Sequence, residues 1–179
     1  MKKVLIALSV LGCILPSAPA QSDESLIRET VLPLPESLRA GAEVIQYEEG
    51  TRKKVIRKGT NGWICAADDP GGEFMVLCYY RELQHLYQRA RELALQGEGA
   101  EERQSILGKE AKSGKLKVPE HGVAFVVRGL NQEVALPLTV VVLPFATAES
   151  TGLPTEIDPH RPWLMNAGTA TAHIMLPGQ

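Results

Sequence analysis

Apolar side chains recur every three or four residues over one segment of the chain, and this spacing predicts its main helix. Charged and amide side chains fill the positions between them, as on a helix that buries one face. Gly97 ends the pattern, so we expect a helix from Met75 or Cys78 to Gln96. A second, more polar helix is predicted over Ala100–Lys112. The apolar positions of the main helix are Tyr79, Leu83, Leu86, Tyr87, Ala90, Leu93 and Ala94.

Short apolar and β-branched runs, bounded by glycine and proline, predict strands on both sides of these helices. The order of strands, helices and strands predicts an α+β domain, in which an antiparallel β-sheet carries one long and one shorter helix packed on one side. We expect a single domain over residues 36–179, preceded by an N-terminal arm over residues 21–35. The predicted strands cover residues 44–47, 53–58, 63–66, 122–128, 138–143, 163–165 and 172–176.

The stretch Gly59-Thr60-Asn61-Gly62-Trp63-Ile64-Cys65 joins two of the predicted strands. Asn-Gly between strand-like segments is typical of a tight hairpin, because both residues tolerate the positive φ that such a turn requires. The sequence therefore predicts a hairpin corner at Asn61-Gly62.

The first twenty residues have the composition of a signal peptide. Lys2 and Lys3 precede an apolar run that is shorter than the roughly 20 residues needed to span a bilayer, and Ala18-Pro19-Ala20 offers small residues for cleavage. We expect export to the bacterial periplasm or the medium, with no transmembrane segment in the mature chain. Val10-Leu11-Gly12-Cys13 leaves lipoprotein anchoring through Cys13 as the alternative.

Composition limits the partners of the mature chain. Removal of residues 1–20 leaves 159 residues, enough for one domain with a sizeable core, and 17 basic against 21 acidic side chains, a net charge of −4. Because nucleic-acid binding draws its affinity from clustered Lys and Arg, we expect no nucleic acid as a principal partner.

Cys65 and Cys78 are the two cysteines of the mature chain. In an oxidising compartment an even number predicts one disulfide, which would join the strand after Asn61-Gly62 to the start of the main helix. The alternative is a thiol-redox protein in which Cys78, near a helix N-terminus, acts as a thiolate. The spacing between the two cysteines is far from the Cys-x-x-Cys arrangement of vicinal thiols.

A long loop over residues 144–162 carries Asp158, His160 and Arg161, with Trp163 directly behind it. Acid, imidazole, guanidinium and indole groups clustered on one loop suit a ligand or a partner. We therefore predict these four residues as the ligand-binding set.

Known catalytic signatures are missing from the sequence. It has no Gly-x-Ser-x-Gly, phosphate loop or dinucleotide fingerprint. Asp68, Asp69 and Glu73 lack the spacing of a calcium loop, and the four histidines are scattered, so no metal or cofactor is predicted. An enzyme stays possible as a secreted hydrolase in which His160 or His173 acts as the base beside Asp158 or Glu156.

The chain carries several separated motifs: GTNGWxC at 59–65, Cys78-Tyr79, Thr151-Gly152-Leu153-Pro154, Pro162-Trp163-x-Met165, Gly168-Thr169 and Ala172-His173-Ile174-Met175. Together these motifs resemble a group of uncharacterised exported bacterial proteins. The resemblance implies export and one compact domain, but no activity and no catalytic residue. Our leading hypothesis is a non-enzymatic domain that binds a small ligand or a cell-envelope partner through the loop at 144–165 and the Cys65/Cys78 corner.

Overall fold

The computed structural model describes residues 23–48, 50–69 and 72–178, so the predicted signal peptide and Cys13 lie outside the described residues. Eight strands form one sheet in the order β2-β1-β3-β4-β5-β6-β8-β7. The strands are β1 Glu43–Tyr47, β2 Lys53–Arg57, β3 Trp63–Ala66, β4 Phe74–Tyr80, β5 Gly122–Gly129, β6 Leu136–Val142, β7 Trp163–Met165 and β8 His173–Pro177. The helices are α1 Asp23–Thr30, α2 Glu36–Arg39, α3 Gln84–Leu95, α4 Ala100–Lys112 and α5 Ala148–Thr151.

The α+β class predicted from the sequence is confirmed. Six of the seven strand pairings are antiparallel, and the exception is the parallel pair of β1 and β3. This pair makes the sheet mixed. It arises because β2 folds back on the outer edge of β1, and the chain then crosses to place β3 on the inner edge.

The hairpin predicted at Asn61-Gly62 is wrong. The strands on its two sides, β2 and β3, are separated by β1 and do not pair with each other. Of the two residues of this Asn-Gly pair, only Gly62 has a positive φ, at 82°. The segment is a crossing connection, in which Thr60 N and Asn61 N both donate to the carbonyl oxygen of Gly41, at 2.7 and 3.2 Å.

The predicted start of the main helix is also wrong, because residues 74–80 form β4. Phe74, Val76 and Cys78 are buried on one face of the sheet, while Tyr79 is buried on the other. The four-residue step from Tyr79 to Leu83 imitates a helical repeat although a short 3₁₀ turn separates the strand from α3. As a result α3 and α4 have nearly equal lengths of 12 and 13 residues.

The main core lies between the sheet and the pair α3/α4. Alternate residues of the central strands point to this side, as the two-residue period of a strand requires. An ion pair joins the two helices: Arg89 binds both carboxylate oxygens of Glu110 at 2.8 Å, and Lys115 Nζ lies 2.9 Å from one of them. The core includes Ile45, Ile64, Tyr79, Leu83, Leu93, Leu107, Ala124 and Val140.

The described part of the predicted N-terminal arm, residues 23–35, lies across the opposite face of the sheet and includes the helix α1. Val31 and Leu34 of the arm pack with Val44, Cys65 and Cys78 in a second core cluster. Both faces of the sheet are therefore buried around β1, β3 and β4. Among the described residues, no helix combines the length and the apolar character needed to cross a membrane.

Candidate functional site

A cleft of about 810 Å³ lies between the helix pair α3/α4 and the sheet. Its middle is apolar, and its volume is in the range of small-molecule sites in proteins. The floor of the cleft is formed by Leu77, Tyr79, Val126, Val140 and Met175. Its roof is formed by Leu86, Tyr87, Ala90, Ala94 and Leu107.

The cleft extends over the length of the central strands. At one end lies the residue pair Arg128 and Leu136, and at the other lies the row of Val142, His173 and Met165. Leu136 and Val142, which mark the two ends on β6, are six positions apart, which corresponds to about 20 Å at the rise of an extended strand. We call them the Arg128 end and the His173 end.

The Arg128 end contains paired charges. Arg91 binds the carboxylate of Asp69 and the carbonyl oxygen of Gly50, and its guanidinium carbon lies 3.9 Å from the centre of the Tyr47 ring. Arg128 Nη2 donates to Glu73 Oε2 at 3.0 Å.

Asp68 adds a further carboxylate to the Arg128 end, where its Oδ1 accepts from the backbone N–H of Met75 at 2.9 Å. The described part of this end thus lines the cleft with three carboxylates and two guanidinium groups. Each of the two arginines already has an acidic partner, so this end offers no uncompensated positive charge.

The His173 end is held by a short hydrogen-bonded chain around Thr171. The Thr171 hydroxyl donates to Gln104 Oε1 at 2.6 Å and accepts from Asn166 Nδ2 at 3.2 Å. These bonds connect α4 to the loop before β8. Since Gln104 Oε1 is the acceptor, its Nε2 amide group is left without a partner among the described residues.

His173 has a fixed tautomer. Its Nδ1 lies 2.7 Å from the carbonyl oxygen of Thr171, and a carbonyl can only accept, so Nδ1 carries the proton. In the neutral ring Nε2 is then an acceptor, and no described residue donates to it. Burial lowers the pKa of His173 below its usual range, against the opposing effect of the hydrogen bond to Thr171. A neutral imidazole acceptor therefore faces this end of the cleft.

Arg103, next to Gln104 on α4, also lines the cleft. Its Nη1 donates to the backbone carbonyl oxygen of Glu98 at 2.7 Å. Within the described part of the chain it has no acidic partner. Arg103 thus gives the cleft one uncompensated cation on α4, and the His173 end itself offers two amide hydrogens of Gln104 and one imidazole lone pair.

The predicted ligand-binding residues of the long loop lie elsewhere. Asp158 accepts from the backbone N–H of His160 at 2.9 Å and from Arg161 Nε at 2.7 Å. The backbone hydrogen bond, followed by the nearby charge of Arg161, lowers the pKa of Asp158. These contacts close a surface turn. Asp158, His160, Arg161 and Glu156 are not among the described residues that line the cleft.

Trp163, the fourth member of the predicted set, belongs to the main core. Its side chain is 5% exposed, and its Nε1–H is buried without a hydrogen-bond partner among the described residues. Because its strand position faces the α3/α4 side, the indole and the exposed turn before it do not form one site.

The predicted disulfide between Cys65 and Cys78 is confirmed. It joins β3 to β4 at directly paired positions, rather than a hairpin strand to a helix. Both residues are completely buried beneath the arm.

Comparison of the chain with family models, with curated proteins and with solved structures finds no match. Over residues 23–48, 50–69 and 72–178, no three His, Cys, Asp or Glu side chains are grouped so that they could hold a metal ion. The fold and the cleft define an α+β protein with a large apolar cleft that is polar at both ends.

Of these polar residues that line the cleft, the sequence pattern points to His173 but not to Arg103 or Gln104. Both residues lie on α4, which the sequence predicts only as the more polar of the two helices because it has few apolar positions. The signal that was present is Leu107, which is buried and four residues from Arg103, so the two share one helical face. The sequence could not predict which residues this face of α4 contacts, because that depends on the position of β8 in the sheet.

Proposed function

We propose that the protein is an exported, non-enzymatic binding protein that holds a small, elongated and mainly apolar molecule in the cleft between α3/α4 and the sheet. The observation that carries the proposal is the cleft itself, with about 810 Å³ of space and an apolar middle. Apolar side chains that line open space gain from burying an apolar ligand.

Two observations support export. The sequence begins with the composition of a signal peptide, and the cysteines that follow it are bonded to each other. Disulfides persist in oxidising compartments such as the periplasm and the medium. Membership of the group of exported bacterial proteins named above stays a prediction.

The hydrolase hypothesis retains one supporting observation, which is that His173 lines the cleft with a free Nε2. Its predicted acidic partners, Asp158 and Glu156, do not line the cleft with it. The imidazole is instead positioned by a backbone carbonyl. We therefore favour binding over catalysis.

A neutral fluorescent probe tests the proposed function. N-phenyl-1-naphthylamine, whose emission rises in apolar surroundings, should bind the wild-type protein in a saturable way. Ala94→Trp places a large side chain in the cleft from an exposed position of α3. We expect it to weaken probe binding by about tenfold or more, which corresponds to about 1.4 kcal/mol, while the fold is retained.

Leu95→Trp is the matched control. Leu95 is the next residue of α3 and is exposed, and it does not belong to the described lining of the cleft. The control should bind the probe like the wild type. Equal binding by wild type and Ala94→Trp, or no saturable binding by the wild type, would contradict the proposed function.

A further inference from the structure

We propose that the ligand of the cleft is a single-chain carboxylic acid whose carboxyl group binds at the His173 end, between Arg103, Gln104 and His173, with the alkyl chain along the apolar middle. The inference rests on the function proposed above and adds the chemical class and the orientation of the ligand.

The distribution of charge sets the orientation. At the Arg128 end, Arg91 and Arg128 are paired with Asp69 and Glu73, and Asp68 adds a further negative charge. An anionic head group would be repelled there. Arg103 is the one charged side chain among the described lining residues of α4, β6, β7, β8 and the loop before β8. A single negative charge is therefore favoured at the His173 end.

The hydrogen-bonding groups select a carboxyl group. Gln104 Nε2 and the guanidinium of Arg103 are donors, whereas His173 Nε2 is an acceptor when the ring is neutral. One carboxyl oxygen can accept from Gln104 and Arg103, and the other can share a proton with His173. An alcohol offers one oxygen for both tasks, and a quaternary ammonium group offers no hydrogen bond and the wrong charge.

This arrangement requires one proton between the ligand and the imidazole. Near neutral pH a carboxylic acid in water is ionised, and the lowered pKa of His173 favours the neutral imidazole before the ligand binds. Binding therefore takes up a proton from the solvent, and this proton lies between the carboxyl oxygen and Nε2. Arg103 is the one charged side chain among the described cleft-lining residues of the elements packed around His173, and the Nδ1 side is occupied by the carbonyl of Thr171.

Displacement of N-phenyl-1-naphthylamine by dodecanoate, dodecanol and dodecyltrimethylammonium at pH 7.5 tests the head group. We expect dodecanoate to bind about tenfold more tightly than dodecanol, the worth of one charge-assisted hydrogen bond, and the ammonium compound to bind most weakly. Calorimetry of dodecanoate in phosphate and in Tris, which differ in ionisation heat, should show uptake of up to about one proton per ligand.

Three variants locate the carboxyl group. Arg103→Gln and the nearly isosteric Gln104→Glu should each weaken dodecanoate about tenfold, with little effect on dodecanol. His173→Gln should abolish the proton uptake. Arg81→Gln and His85→Gln, at exposed positions outside the described lining of the cleft, are the matched controls. Retained probe binding and circular dichroism verify that each variant folds.

Each outcome decides between the two proposals. If the probe fails to bind the wild type, the proposed function fails. If the probe binds but dodecanol equals dodecanoate, or Arg128→Gln weakens dodecanoate more than Arg103→Gln, then this inference is overturned while the cleft remains a binding site. Binding of dodecanoate without proton uptake would overturn the role of His173.

Discussion

At the scale of single residues, close backbone contacts explain the glycine and asparagine residues of the stretch from Gly59 to Cys65. A Cβ atom on Gly59 would lie 2.5 Å from the backbone nitrogen of Glu43, and one on Gly62 would lie 2.8 Å from the Tyr80 ring. Asn61 bridges two segments, because Nδ2 donates to the carbonyl of Leu38 at 2.7 Å and Oδ1 accepts from Trp63 N at 3.1 Å. These three residues have a structural role, because they allow neighbouring backbone segments to approach each other closely.

Replacement of Gly59 by alanine should therefore destabilise the protein. The added methyl group meets the backbone of β1, which cannot move aside as a flexible side chain can. We expect the free energy of unfolding to fall by about 1–3 kcal/mol, as for other overpacked sites. Urea denaturation followed by circular dichroism measures this change.

Gly108→Ala is the control for this experiment. Gly108 lies inside α4, and a Cβ there would meet no atom within 4 Å. Since alanine is a better helix former than glycine, this variant should gain about 0.5–1 kcal/mol. A Gly59→Ala protein as stable as the wild type would contradict the close approach of Gly59 to β1.

At the scale of elements, the pair α3/α4 forms the roof of the cleft, and one buried carboxylate holds the pair together. Glu110 is 8% exposed, and its carboxylate accepts hydrogen bonds from Nε and Nη2 of Arg89 and from Nζ of Lys115. The hydrogen bonds from Arg89 and then Lys115 lower the pKa of Glu110 to about 2. The ionised form is favoured in the folded protein.

This pKa predicts a loss of stability in acid. A carboxyl group whose pKa is lower in the folded than in the unfolded chain contributes stability above its unfolded pKa, and this contribution is lost as the pH falls towards the folded value. For Glu110 the window lies between the ordinary glutamate pKa of 4.5 and the folded-state pKa of about 2. Glu110→Gln should cost about 1–3 kcal/mol at pH 7, and its difference from the wild type should shrink across that window.

Urea denaturation of wild type and Glu110→Gln at pH 7, 4 and 2.5 makes this comparison. Glu102→Gln, at an exposed position of the same helix, should show no such pH-dependent difference. A constant gap between wild type and Glu110→Gln across the whole range would contradict the lowered pKa of Glu110.

Most elements could be predicted from the sequence, and their pairing could not. The bounds of α4 and β7 follow from glycine stops and short apolar runs, because these signals are local. The parallel pairing of β1 with β3 could not be predicted, because it depends on the position of β2 on the outer edge of β1. No local sequence pattern indicates that position. The candidate site could not be predicted for a related reason. Gln104 and Thr171 are 67 residues apart in sequence, and only the packing of α4 against the loop before β8 brings them together.

At the scale of the whole molecule, the prediction concerns processing. Protein purified after export should begin at Gln21, if residues 1–20 are removed as a signal peptide. Its intact mass should match residues 21–179 less two hydrogen atoms for the Cys65–Cys78 bond. Iodoacetamide in denaturant should label no cysteine until a reductant is added. The measurement is mass spectrometry of the intact and the alkylated protein.

Two results would count against this account of export. A lipid-modified N-terminus at Cys13 would favour the lipoprotein alternative. Labelling of both cysteines without reductant would show that the bond does not form in the compartment where the protein resides. The same protein expressed without residues 1–20 in the cytosol provides the comparison, and its cysteines should be labelled more readily.

Because the N-terminal arm covers the disulfide, the accessibility of this bond to a reductant depends on how often the arm detaches from the sheet. Cys78 Sγ lies 3.4 Å from the carbonyl oxygen of Thr30, and Val31 and Leu34 cover the bond. A small reductant can reach the sulfur atoms only after this part of the N-terminal arm lifts from the sheet. The rate of reduction in the absence of denaturant therefore reports how often this cover opens while the remainder of the molecule stays folded.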